Sequence, residues 1–200
     1  MRQKLLAFLL MMLPSMGLAE VSFDEETSTL RITGPTDMVQ VIQASNYMTE
    51  HEVQYIEMWG PGGYMRMGLQ LGNRISRETT ATVVIPKGKR CISACAFAAM
   101  GGSHIRIDGK LMLHRPFITN APIMERLEDV LAHMGKGYLM TAYYLEDHGY
   151  DRSIMNSMMN YTSPCKFMVY KNTEVKKPED LVLWSLDDSR CEMLNRKVLR

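Results

Sequence analysis

Three apolar runs with strand character, each closed by residues that break a strand, constrain this chain more than its overall composition does. Tyr55-Ile56-Glu57-Met58-Trp59 leads into Gly60-Pro61-Gly62-Gly63, and Ala81-Thr82-Val83-Val84-Ile85 precedes Cys91-Ile92-Ser93-Ala94-Cys95. Lys110-Leu111-Met112-Leu113 ends on His114-Arg115-Pro116. Short runs of β-branched and large apolar residues, bounded by Gly and Pro, suit strands buried on both faces. Helical spacing follows the first run through Met67, Leu71 and Ile75, and an alanine-rich helix from Ser93 to Met100 follows the second. Strands alternating with helices predict an α/β domain on a mainly parallel sheet.

The rest of the pattern fits that class. Val21 to Phe23 and Leu30 to Thr33 read as a hairpin. Gly34-Pro35 breaks the pattern, and Thr36 or Asp37 can cap a helix running to about Glu50. His104 to Ile107 and Lys110 to Leu113 flank Asp108-Gly109, a strong hairpin turn pair. Arg115 to Pro122 reads as a loop, Ile123 to His148 as mostly helical, and Asp151 to Met159 as a second helix. Pro178 to Trp184 is expected to form a last short helix. Met155, Met158 and Met159, with Met140 nearby, are expected to fill irregular core or groove surface.

The amino terminus has the layout of an export signal over residues 1–19. Arg2 and Lys4 supply a positive region, Leu5 to Leu13 an apolar one, and Gly17-Leu18-Ala19 a small-residue cleavage site. Residues 20–200 then suit one domain, periplasmic or secreted, with no further apolar stretch long enough to span a membrane. The net charge of +1, without long charge runs, argues against nucleic acid as a partner. Cys91, Cys95, Cys165 and Cys191 enter an oxidising compartment, where an even count favours disulfides. Four cysteines allow three pairings. Cys165 with Cys191 would staple the carboxyl-terminal segment. Cys91 with Cys95 would clamp the turn around Ser93, provided the Cα separation permits so tight a loop. No CxxC or HExxH spacing supports a zinc site, and His51, His104, His133 and His148 lack ligand spacing.

Each strand-ending motif has an ordinary and a chemical reading. Gly62 and Gly63 make a sharp turn and also leave backbone amides uncrowded. Ser93 can cap the helix it opens, or present its hydroxyl beside the Ala94 amide at that helix's positive end. The surroundings do not match the G-x-S-x-G elbow of α/β-hydrolases. His114 alone reads as a structural or surface histidine. All three motifs, however, fall at the carboxyl ends of strands, where ligand chemistry collects in α/β sheets.

In this order and spacing the motifs resemble the ClpP-type serine peptidases of the ClpP/crotonase superfamily. More narrowly, the chain is similar to secreted bacterial ClpP-like proteins in which C-x-S-A-C precedes the histidine strand. The resemblance is good from about Val53 to Pro116, thinner before it and poor after about Pro122. It implies a ClpP/crotonase-like fold with ββα units and flanking helices. It implies Ser93 as nucleophile, His114 as general base, and the amides of Gly63 and Ala94 as an oxyanion hole. A serine hydrolase follows, a peptidase acting on peptide or protein, without a cofactor and in a homo-oligomer.

Two departures stand out. Gly60 occupies a position that is serine or asparagine in the family. The family's triad aspartate is expected around Ser163 to Phe167, where this chain carries Pro164-Cys165-Lys166. Asp147, Asp151 and Asp180 are the substitute candidates, each also readable as a solvated helix-end carboxylate, and Lys110 is not chosen as a base. The alternative reading is a non-catalytic binding or scaffold protein that kept the fold and lost the acid. An acyl-CoA enzyme of the crotonase type is the third, weakened because export removes the chain from the coenzyme A pool.

Overall fold

The alternation of strand and helix is realised in the computed structural model, which describes residues 20–116, 127–160, 167–170, 173–175 and 185–187. Glu20–Asp24 (β1) and Thr29–Thr36 (β2) form the expected antiparallel hairpin, with Phe23 opposite Leu30 and Val21 opposite Ile32. The Asp24 carboxylate closes its turn, accepting from the Glu26 and Thr27 amides at 3.1 and 3.2 Å. Gly34-Pro35 does not end β2. The strand shifts register between Thr33 and Pro35, with Gly34 at φ +85°, and continues to Thr36. Asp37 then caps Met38–Glu50 (α1), accepting from the Gln40 amide at 2.9 Å.

Tyr55–Gly63 (β3) lies parallel to β2 along its length. Its first half also pairs with Thr82–Ile85 (β4), and Gly60 pairs with Arg90–Ile92 (β5). Met65–Glu78 (α2) connects β3 to β4, and Ala94–Ala99 (α3) follows β5. His104–Ile107 (β6) then pairs in parallel with β4, and Lys110–His114 (β7) pairs in parallel with β5. Phe167–Tyr170 (β8) runs antiparallel to β7 and Ser185–Asp187 (β10) antiparallel to β8, while Thr173–Val175 (β9) runs antiparallel to β6. The result is an α/β protein with a mixed, mostly parallel sheet and flanking helices, the latter including Leu127–Asp147 (α4) and Ser153–Asn160 (α5).

The expected hairpin at Asp108-Gly109 is corrected by this pairing, since β6 and β7 do not pair with each other. Both amides of the turn donate to the Ile85 carbonyl, at 3.0 and 2.8 Å, and the Lys110 amide donates to the Lys89 carbonyl at 3.0 Å. The chain therefore makes a corner here, stepping from the β4 side to the β5 side as it does at Pro86–Lys89. Gly109 is required by closeness: a Cβ there would lie 2.4 Å from the carbonyl oxygens of both Lys89 and Pro86. A Gly after Asp signals a tight turn, but whether the flanking strands pair with each other depends on which neighbours are already in place.

The core lies between this sheet and the helices, around Leu30, Ile56, Val83, Ile105 and Leu71. Met155 and Met158 are fully buried and Met159 packs against the core, whereas Met140 is exposed. Helices α2 and α3 approach closely because their facing residues are small. A Cβ on Gly68 would meet the Ala94 carbonyl oxygen at 2.3 Å, and one on Gly101 would meet that of Gly72 at 2.2 Å. Beside Gly72, the buried Tyr144 hydroxyl of α4 donates to the Phe97 carbonyl at 2.7 Å. No helix among the described residues is long and apolar enough to cross a membrane. The expected signal, the Cys165–Cys191 pairing, the loop beyond Pro116, Asp180 and the helix from Pro178 lie outside the described residues.

Because the obstacle at Gly68 is backbone, a methyl cannot be absorbed by a rotamer change. Gly68→Ala is expected to lower unfolding stability by about 1–3 kcal/mol, measured by urea denaturation, despite alanine's better helix propensity.

Candidate active site

Ser93 has an uncommon backbone for a residue with a side chain. It turns the chain from β5 into α3 at φ +58°, ψ −120°. Left-handed φ at a non-glycine residue costs about 1–3 kcal/mol and persists only where the surroundings hold it. Three backbone contacts do so. The Ser93 amide donates to the Met112 carbonyl of β7 at 2.8 Å, and the Ser93 carbonyl accepts from Phe97 at 3.1 Å. Gly62, at φ +87°, stands directly behind: a Cβ on it would lie 2.5 Å from the Ile92 oxygen, 2.8 Å from the Ser93 Cβ and 3.1 Å from the Ala94 nitrogen. The sharp turn expected at Gly62-Gly63 is corrected: Gly60 to Gly63 continue β3, with Gly62 opposite Pro35 and Gly63 opposite Thr36 of β2. The end of β3 and the serine turn are one packed unit.

The capping reading of Ser93 is not realised, because its side chain makes no cap hydrogen bond to the helix it opens. The strand entering this turn is also a correction. Ala81 to Ile85 was expected to lead into the serine motif, but β5, a separate three-residue strand after the Pro86–Lys89 corner, does so. The cysteines at positions two before and two after the serine are joined. Cys91 and Cys95 form a disulfide with Cα atoms 5.2 Å apart, inside the range a bridge allows.

His114 ends β7, the strand beside β5. Ile92 pairs with Met112, so the serine turn and the histidine occupy adjoining strand ends. The imidazole is only 6% exposed and meets the Phe167 ring edge-on at 5.2 Å. Its Nδ1 lies 2.8 Å from the Arg115 carbonyl oxygen. A carbonyl only accepts, so Nδ1 carries the proton and Nε2 is the basic nitrogen. Burial holds the imidazole below its usual 6.5, opposed by that carbonyl contact, and leaves it neutral at neutral pH. Among the described residues no hydrogen bond joins the Ser93 hydroxyl to the imidazole. In free enzymes such contacts often tighten only around substrate.

Two of the substitute acids, Asp147 and Asp151, lie among the described residues, and neither hydrogen-bonds His114 there. Asp147 is exposed at the end of α4. The Asp151 carboxylate accepts from the Ser153 amide at 2.5 Å, at the start of α5, which holds it below the ordinary carboxylate range. Of the stretch expected to hold the family's aspartate, residues 163–166 lie outside the described residues, and its last member, Phe167, packs on His114. Lys110 begins β7 and so lies a strand's length from His114, about 13 Å. Gly63 ends β3 against β2, where its Cβ would meet the Thr36 oxygen at 2.2 Å. Gly60 has a physical reason to lack a side chain, since its Cβ would lie 2.1 Å from the Gly34 oxygen.

Sequence reasoning missed three contributors. Phe167 belongs to an apolar run, Phe167 to Tyr170, that carried a strand signal. Gly68 and Gly72, one turn apart on α2, could have marked a close helix contact. Arg115's backbone role has no sequence signal. No group of three or more His, Cys, Asp or Glu that could hold a metal ion occurs among the described residues. An open groove of about 340 Å³ bordered by His51, Val53, Arg77 and Thr79 lies at the other end of β3 from Ser93. No known family model matches the chain, and no curated protein matches it.

Because folding lowers the His114 pKa, the unfolded chain takes up the proton first. The contribution of neutral His114 to stability is complete above about 6.5 and is lost as pH falls through the lowered value. The His114 Cε1–H resonance should titrate with a midpoint below 6.5, and His114→Gln should flatten the acid-side fall of Tm.

Proposed function

We propose that the chain is an exported ClpP-like serine hydrolase of the ClpP/crotonase superfamily, acting on peptide or protein. The observation that carries this reading is the Ser93 turn. A left-handed, uncapped serine at a strand-to-helix junction is the arrangement that lifts a nucleophilic hydroxyl clear of its own backbone. Its packing against Gly62 and the neighbouring strand end of His114 support this reading. The buried disulfide supports an oxidising compartment.

In the mechanism, Ser93 Oγ attacks the scissile carbonyl while Nε2 of His114 takes the hydroxyl proton. The Ala94 amide, first in α3, faces the developing oxyanion. The Gly63 amide is its partner: the Tyr64 amide donates to Thr36 of β2, and strand alternation turns the preceding amide toward the β5 side. The imidazolium returns its proton to the leaving amine, and water activated by the same nitrogen releases the acyl group. The Arg115 carbonyl helps to orient the ring, fixing the tautomer by accepting from Nδ1–H.

A fluorophosphonate probe tests the reading. Oxidised protein should be labelled at Ser93, Ser93→Ala should not be labelled, and His114→Ala should label about 10²–10⁴-fold more slowly. Labelling of the wild type should decline on acidification below about 6.5, as His114 protonates. Folded wild type that never labels would overturn the hydrolase reading and favour the non-catalytic scaffold.

A further inference from the structure

We infer that the Cys91–Cys95 disulfide is the positioning device for Ser93, so that reducing it disables the site while the sheet stays folded. The functional consequence rests on Ser93 as nucleophile; the conformational claim does not. In the G-x-S-x-G elbow, glycines two before and two after the serine let the flanking chain pass closely. Here both places hold cysteines, and a covalent tie across the turn replaces that freedom. Both are buried, Cys91 at 0% and Cys95 at 3% exposure.

The geometry explains what the tie resists. Were residues 92–94 all extended, so that β5 ran on through the start of α3, the Cys91 and Cys95 Cα atoms would separate to about 13 Å. A disulfide tolerates no more than about 6.8 Å, and here the separation is 5.2 Å. The bridge therefore excludes the extended alternative outright. The other restraints on this turn are the non-covalent contacts to Met112, Phe97 and Gly62. Helix α3 has six residues and receives no side-chain cap from Ser93. Short uncapped helices are marginal alone, and the bridge anchors its second residue to the strand before it. Breaking the bridge leaves only the non-covalent contacts to Met112, Phe97 and Gly62 to hold a disfavoured φ.

Reduction needs an external dithiol. It supplies two electrons and two protons, the Sγ–Sγ bond becomes two thiols, and the dithiol closes to its own cyclic disulfide. With both cysteines buried, the exchange requires local opening and should be slow.

The test uses full-length mature chain carrying Cys165→Ser and Cys191→Ser, beside wild type with alkylated cysteines mapped by mass. Dithiothreitol-reduced and oxidised samples are compared by fluorophosphonate labelling and by amide hydrogen exchange. On reduction, labelling should slow about 10²-fold, the loss typical of a displaced catalytic group. The Ser93 and Phe97 amides should exchange at least about tenfold faster, with β3 amides such as Met58 unchanged, and reoxidation should restore both. Cys91→Ala/Cys95→Ala should match the reduced state. Unchanged Ser93 and Phe97 exchange after full reduction overturns the inference, as does a rise shared equally by β3, which makes the bridge a general staple. If oxidised protein never labels, the hydrolase reading fails and the exchange comparison alone decides this one.

Discussion

The turn at Ser93 exists because Gly62 has no side chain. Backbone meets backbone there, with the Ile92 carbonyl, the Ser93 Cβ and the Ala94 nitrogen all inside the space a methyl would need. The same device recurs outward from the site. Gly60 admits the Gly34 carbonyl, Gly68 admits Ala94, and Gly101 admits Gly72. Interiors pack like crystals, so such contacts transmit position rather than merely tolerating it. Strand β3, helix α2 and helix α3 are thereby registered to one another, and the serine inherits its place from all three.

A second constraint is electrical. His114 lies in an apolar setting beside Phe167, which disfavours its charged form. That environment keeps a base unprotonated at neutral pH, and the Arg115 carbonyl chooses which nitrogen is basic. The same contact fixes one edge of the ring. Tyr144 plays a related structural part, since its buried hydroxyl has a full-strength acceptor in Phe97 and fixes α4 over the helix that follows the serine. Burial raises its pKa well above 10, so it stays a donor throughout the physiological range.

Much of this was legible in residue order. The strand-like runs, the β1–β2 hairpin, the Asp37 cap and the α2 face through Met67, Leu71 and Ile75 follow from periodicity and cap chemistry, which act over a few residues. Asp108-Gly109 was legible as a turn and illegible as a corner, because pairing partners lie outside the window that a dipeptide reports. β5 was missed for a similar reason: three residues after Lys87-Gly88 are too few to show a period, and the strand is defined by Gly60 and Leu111 on either side. The candidate acids were read as helix-end carboxylates as well as catalytic ones, and Asp151 is engaged at the start of α5.

The sequence by itself determined the inventory: apolar runs that must be buried, glycines where chain had to approach chain, a serine between paired cysteines and a histidine at a strand end. Local chemistry suffices for these, since each depends on spacing or on the absence of a Cβ. Only the tertiary structure decided that Gly62 backs Ser93, that β5 lies beside β7, and that a neighbouring carbonyl faces the imidazole. Those are relations between segments tens of residues apart, and they arise when burial of the whole sheet selects one arrangement from many that the local signals permit.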